Sequence, residues 1–176
     1  IGAALVAAHL YKREPRSPAP SGDGMKGSYL GPAYSQEDIE RRLKAAGAVF
    51  ETLDDDALVD RAARALADGK ALGWHQGRME FGPRALGGRS ILADPRDPKV
   101  GDTLNMKIKF REGFRPFAPS VLMDKASEWF EIDCDSPYML LVAQVREGKG
   151  TIPSVTHVDN SARLQTVTRE EAPLYY

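Results

Sequence analysis

The stretch from residue 78 to residue 117 constrains this chain most. It is dense in Arg, Gly and Pro and has little hydrophobic periodicity, so no long helix or strand is expected there. It also concentrates charge. Between Arg78 and Arg115 stand six Arg (78, 84, 89, 96, 111 and 115) and three Lys (99, 107 and 109) against five acids. The whole chain has a net charge of -1, so this local excess of four positive charges leaves -5 for the remainder. Near-neutrality overall disfavours a nucleic-acid coat or a polybasic membrane binder.

Arg is the side chain for bidentate grip on oxyanions. Several of these arginines adjoin rigid or apolar neighbours, in Gly82-Pro83-Arg84-Ala85-Leu86-Gly87 and in Phe114-Arg115-Pro116-Phe117. A solvated charged face does not usually interleave Arg with Phe and Pro; a concave, partly desolvated anion pocket does. The alternative is a surface patch paired with Asp and Glu. Pro83 also suits the first position of a short helix whose free N–H groups would face an anion. Gly82 and Gly87 have P-loop spacing, but Gly88 and Arg89 stand where its Lys and Ser/Thr belong, and a P-loop is rejected. Lys107-Ile108-Lys109-Phe110-Arg111 alternates cations with apolar residues and, if extended, would wall a phosphate site.

The flanks read as interleaved helices and strands, a mixed α and β class. With 176 residues and 42% hydrophobic residues, the chain can bury one domain's core. Residues 1–13 are helical in composition; the apolar opening is too short for a membrane span and is read as a buried Ala-rich helix. A Pro/Gly-rich linker follows. Residues 27–32 are expected to add a short strand. Ser35 should cap a helix from Gln36 to about Ala46. Residues 49–53 read as a strand, and Asp54-Asp55-Asp56 as the start of a helix with Leu58, Ala62, Ala65 and Leu66 inward. Residues 71–75, 139–145 and 164–167 read as strands, and Met123 to Phe130 as a short helix.

Other candidates carry less. His157 and Asp159 form either an acid–base pair or a hydrogen-bonded structural pair. His9 and His75 are assigned to structure, and Trp74 and Trp129 to the core. Cys134 cannot close an internal disulfide and is read as a partly buried apolar residue, not a nucleophile. The expected compartment is the cytoplasm. No HxxxH, HExxH or CxxC is present, so no metal site is argued.

The residues from Gly77 to Arg96, including Glu80, Arg84, Arg89 and Ser90, resemble a signature of the O-carbamoyltransferases, a family with nodulation-factor and antibiotic members. Asn105 to Ser120, Pro137-Tyr138-Met139 and His157 to Val167 are similar to three further blocks in the same order. The resemblance implies a YrdC-like C-terminal domain, a twisted mixed sheet with flanking helices. That domain takes carbamoyl phosphate and ATP, with magnesium on the nucleotide, and makes carbamoyl adenylate. An N-terminal ATPase-like domain, which holds a metal, then moves the carbamoyl group to an acceptor hydroxyl.

Carried onto this sequence, the resemblance implies that Arg84, Lys109, Arg115 and Arg163 grip carbamoyl phosphate and the adenylate. Lys109 and Arg111 neutralise charge at the transferring phosphorus. Glu80, Arg89, Ser90, Asn105, His157 and Asp159 support them. It also implies residues 1–14 as a helix of the preceding domain, 15–26 as a linker and 27–176 as an incomplete YrdC-like domain. On this reading the chain is a segment of a longer protein, and a downstream Asn-Thr-Ser-Phe-Asn half of the phosphate motif lies beyond Tyr176. Two positions depart from the pattern. Gly88 replaces Asn, which should loosen the turn holding Arg89, and Asn160 replaces Gly at a position of glycine-like backbone geometry. The rival readings are an RNA-binding module, for which only Phe110, Phe114 and Phe117 could stack bases, and a docking domain without catalysis of its own.

Overall fold

The computed structural model describes residues 2–17 and 23–176. It contains five α-helices, α1 (Gly2–Val6), α2 (Gln36–Ala45), α3 (Asp55–Ala67), α4 (Pro98–Leu104) and α5 (Ala126–Trp129). The strands are β1 (Leu72–His75), β2 (Arg89–Leu92), β3 (Ser120–Leu122), β4 (Val142–Gln144), β5 (Ser161–Arg163) and β6 (Gln165–Val167). The class is therefore mixed α and β, as the interleaved patterns predict. The strands pair as three two-stranded ladders rather than as one continuous sheet.

β1 pairs antiparallel with β2, Trp74 opposite Ser90. β4 pairs antiparallel with β5, Ala143 opposite Ala162. β3 pairs parallel with β6, Val121 opposite Thr166. Only Leu164 separates β5 from β6, and it is fully buried. One extended segment thus serves two ladders, with β4 along its first half and β3 along its second. This places Arg163 beside the arm that runs from residue 105 into β3.

The core lies around that segment. Phe130, Ala143, Val145, Ile152, Val155, Ala162 and Leu164 form it, with Phe117, Val121, Trp129 and Ile132 packed against it. Phe130 is 1% exposed, and cutting such a ring to Ala costs ~3–5 kcal/mol. Helices α2 and α3 start as their sequences predict. Ser35 Oγ accepts from Asp38 N, and Asp54 Oδ1 accepts from Ala57 N at 2.8 Å, so the acidic triplet caps a helix. Ala62, Ala65 and Leu66 of α3 are half-buried, whereas Leu58 is exposed.

Several expectations fail for local reasons. Residues 49–53 alternate but join no ladder among the described residues, and Val49 is fully exposed. Residues 27–32 form a tight turn and an irregular arm, not a strand. The helical composition of residues 1–13 is matched by α1 running into a wide π-type turn at Ala7–Tyr11, and none of its residues is buried in this chain. The strand expected over 139–145 is confined to β4, followed by a bridge from Val145 to Phe130. Cys134 is exposed. Of the expected linker, residues 18–22 lie outside the described residues.

Candidate functional site

No helix follows Pro83. Residues 81–88 are a chain of bends, folded around the carboxylate of Glu80. Its side chain is 1% exposed. Oε1 accepts from Leu86 N at 2.5 Å and Gly88 N at 2.8 Å, and Oε2 from Arg89 Nε at 3.1 Å. Arg89 also donates to the Gly82 carbonyl. Burial pushes the Glu80 carboxyl pKa up, but these donors outweigh it and hold the value below the ordinary glutamate range. An internal carboxylate thus takes the place of the anion that the anticipated helix N-terminus would have faced, and it consumes the free N–H groups.

The loop is pinned further. Gly87 N donates to Ser90 Oγ at 2.9 Å. The Leu86 carbonyl accepts from Tyr29 Oη at 2.6 Å and from Gln165 Nε2 at 2.7 Å. Gly88 does not loosen the turn. A Cβ there would stand 2.7 Å from the Arg78 carbonyl oxygen, so the backbone closes tightly on itself.

The second arm, residues 105–117, is built on Asn105, which is wholly buried. Its Nδ2 donates to the carbonyls of Gly113 (3.2 Å) and Arg115 (2.9 Å). Its Oδ1 accepts from Arg111 Nε at 2.6 Å. The Arg111 guanidinium lies over the Phe117 ring, 4.8 Å from its centroid, a cation–π contact that supports it from below. Residues 105–109 form a π-type turn and Phe110 is left-handed at φ +48°, so the predicted extended wall is absent. The turn satisfies local backbone groups within the arm instead, with Arg111 N donating to the Asn105 carbonyl at 3.0 Å.

The two arms face one cavity of about 640 Å³. Arg84, Lys109, Arg111 and Arg163 line it. Among the described residues, none of the four is in an ion pair. Burial, and then repulsion from Arg84 and Arg111, lower the Arg163 pKa from its ordinary value. Arginine remains charged regardless. The cavity therefore holds like charges close together, Arg84 and Arg111 half-buried and Lys109 and Arg163 exposed, a situation that a bound polyanion relieves. The wall from α3, β1 and β2 is apolar, with Val59, Leu66, Trp74 and Ile91. Trp74, expected in the core, is half-buried there, and its buried Nε1 has no acceptor among the described residues.

Of the residues singled out in the sequence, Arg84, Ser90, Lys109, Arg111 and Arg163 share the cavity, and Glu80, Arg89 and Asn105 shape its arms. Arg115 does not line it; it pairs with Glu112 at 3.0 Å, and both are about half exposed. His157 and Asp159 lie in a turn away from the cavity. His157 Nδ1 is 3.1 Å from Asp159 Oδ1, while that same oxygen accepts from Ser161 N and Oγ. The pair shapes the entry into β5. Asn160 in that turn takes φ +63°, with Nδ2 donating to the Val145 carbonyl, so Asn serves where glycine geometry was expected. Sequence reasoning missed Tyr29, Gln165 and Tyr175. Among the described residues, no cluster of three or more His, Cys, Asp or Glu side chains could hold a metal ion, and no helix is long and apolar enough to cross a membrane.

The family model for the carbamoyltransferase C-terminus matches residues 63–176, which hold both arms and every cationic lining residue. The chain belongs to the carbamoyltransferase family, of which it carries the C-terminal region. It is similar over its whole length to an uncharacterised protein of Synechocystis, at 48% identity over 32% of that protein. It is 44% identical to the nodulation protein NolO of Bradyrhizobium diazoefficiens, over 99% of this chain and 33% of that one. Over 61% of its length it is 48% identical to 20% of the 3'-hydroxymethylcephem-O-carbamoyltransferase of Amycolatopsis lactamdurans. The chain spans about a third of the length of the first two relatives.

Proposed function

We propose that this chain binds carbamoyl phosphate and ATP and forms carbamoyl adenylate, for transfer of the carbamoyl group to an acceptor hydroxyl by the longer protein. The observation that carries the reading is the convergence of Arg84, Lys109, Arg111 and Arg163 on one cavity with no carboxylate partner there. Both substrates are multiply charged phosphates, and adenylyl transfer needs positioned positive charge more than a side-chain nucleophile. The relative from Amycolatopsis, named as an O-carbamoyltransferase, supports the carbamoyl chemistry.

In the proposed sequence, a water molecule attacks the phosphorus of carbamoyl phosphate, the bond from phosphorus to the bridging oxygen breaks, and inorganic phosphate, which keeps the water oxygen, separates from carbamate, which keeps the bridging oxygen. A carbamate oxygen attacks the α-phosphorus of ATP and pyrophosphate departs. Arg84 and Arg163 hold the phosphate and carbamate oxygens. Lys109 and Arg111 neutralise charge that grows on the pyrophosphate oxygens. The apolar wall at Trp74 and Leu66 receives the adenine base, and the free Trp74 Nε1 offers it a donor. Magnesium travels with the nucleotide phosphates. An N-terminal ATPase-like domain of the same protein supplies the acceptor site.

The test is ATP–pyrophosphate exchange in the full-length protein. Exchange should depend on carbamoyl phosphate and fall at least a hundredfold in Arg84→Ala and Lys109→Ala, on the order of two lost charge-assisted contacts. Exchange that ignores carbamoyl phosphate, or survives both substitutions, would exclude the reading.

A further inference from the structure

We propose that Tyr29 is a positioning residue for Arg84, acting through the Leu86 peptide. The inference rests on the reading of the cavity as an anion site. Tyr29 lies upstream of the family-matched region, which begins at residue 63, in the stretch 27–32 that follows the expected linker.

The Leu86 peptide is gripped on both sides. Its N–H donates to Glu80, and its carbonyl accepts from Tyr29 Oη and Gln165 Nε2 at 2.6 and 2.7 Å. Leu86 and Gln165 are each 4% exposed, so the carbonyl has little recourse to water and each donor matters. Arg84 stands two residues upstream on the same loop. Gln165 belongs to the buried β6, so Tyr29 is the side chain by which the upstream segment grips the loop at Leu86, beside the backbone bond from Phe81 N to the Ser28 carbonyl.

The upstream segment is shaped for that contact. Lys26, Gly27 and Ser28 are successively left-handed, at φ +49°, +65° and +66°. Two of them carry side chains that disfavour this geometry by ~1–2 kcal/mol each, and such strain persists where the surroundings over-determine it. The turn wraps the Tyr29 ring so closely that a Cβ on Gly27 would lie 2.8 Å from it. Beyond the turn the segment follows residues 78–81. The Ser28 carbonyl accepts from Phe81 N at 2.7 Å, Gly31 N donates to the Met79 carbonyl at 2.9 Å, and Arg78 Nη1 donates to the Gly31 carbonyl at 2.8 Å. Burial, with Glu80 nearby, pushes the Tyr29 phenol up to about 12, so it remains a donor throughout the neutral range.

Tyr29→Phe removes one hydroxyl and leaves the Gln165 contact to hold the fold. Two readouts in the full-length protein test the role, with inorganic pyrophosphate as probe. In calorimetry, Tyr29→Phe should weaken pyrophosphate binding about fivefold, the factor that one ordinary hydrogen bond represents. The substitution should add nothing in an Arg84→Ala background. Hydrogen exchange at the Leu86 and Gly88 amides should quicken by a similar factor, with the Val145 amide in the core unchanged. Unaltered exchange at Leu86 and Gly88 would overturn the proposal, as would an equal loss of affinity with and without Arg84. Should the unmodified protein bind no pyrophosphate, the anion reading of the cavity falls. Exchange alone then decides whether Tyr29 positions the loop.

Discussion

Asn105 Oδ1 accepts a 2.6 Å hydrogen bond from Arg111 Nε, and the Arg111 guanidinium rests on Phe117. A cation lining the cavity is therefore held by one neutral, wholly buried amide and one aromatic face, with no opposing carboxylate. The arrangement fixes direction without cancelling charge. Asn105→Ala strips acceptor and donors together and leaves the Gly113 and Arg115 carbonyls unpaired. It should destabilise the chain by ~2–4 kcal/mol in urea unfolding. Asn105→Asp keeps an acceptor for Arg111 but partly neutralises it, so pyrophosphate affinity should fall about tenfold or more by calorimetry. Undiminished affinity in Asn105→Asp would show that the charge of Arg111 is not used.

Arg163 separates stability from binding. Burial and the nearby Arg84 and Arg111 disfavour its charge in the free chain. Arg163→Gln should therefore leave ligand-free stability unchanged or slightly raised in urea unfolding, while pyrophosphate affinity drops by about tenfold or more. Added salt should stabilise the unmodified free chain more than the variant, because screening relieves like-charge repulsion. Parallel losses of stability and affinity would mean that Arg163 is part of the packing instead.

These opposing effects indicate which features the sequence could disclose. Arg84, Lys109, Arg111 and Arg163 are legible as a group because Arg set beside Pro and Phe demands a desolvated setting, and the resemblance supplies their order. Helices α2 and α3 are legible because Ser35 and Asp54 announce their starts. Residues 107–111 mislead because a five-residue alternation fits a strand and also a wide turn, and the buried Asn105 settles it for the turn. Residues 49–53 mislead because alternation needs a partner strand, and none approaches. Arg115 reads as a lining cation, yet Glu112, three residues earlier, claims it. The contact from Tyr29 to Leu86 spans 57 residues, and no local pattern encodes it.

Glu80 gives the site a defined acid limit. Its folded pKa lies below its unfolded value, which is about 4.3 for a free glutamate, because Leu86, Gly88 and Arg89 all donate to it. The unfolded chain thus binds the proton more readily, and stability falls as pH drops. The contribution is fully present above about pH 4.3 and is lost as pH falls through the lower folded value. Glu80→Gln should lower stability at neutral pH by ~3 kcal/mol or more, since it removes a buried charge and leaves Arg89 unpaired. It should also flatten the acid limb of the curve of unfolding free energy against pH. An unchanged acid limb would assign the acid sensitivity to other carboxylates.

Gly87 and Tyr175 should be energetically coupled. A Cβ at Gly87 would lie 2.5 Å from Tyr175 Cδ1, and Gly87 has φ +107°. The Tyr175 ring has little room to retreat: Trp74 lies behind it, at 6.5 Å between centroids, and its hydroxyl donates to Ser120 Oγ at 2.8 Å. Gly87→Ala thus meets two costs, one from the left-handed backbone and one from the ring. Together they should amount to about 2–4 kcal/mol. Tyr175→Ala alone should cost ~3 kcal/mol from lost packing. In the double variant the ring cost vanishes while the backbone cost stays. Urea unfolding of the four proteins should then show a coupling of about 1–2 kcal/mol. Strict additivity would mean that the ring moves aside freely and that backbone conformation alone excludes a side chain at residue 87.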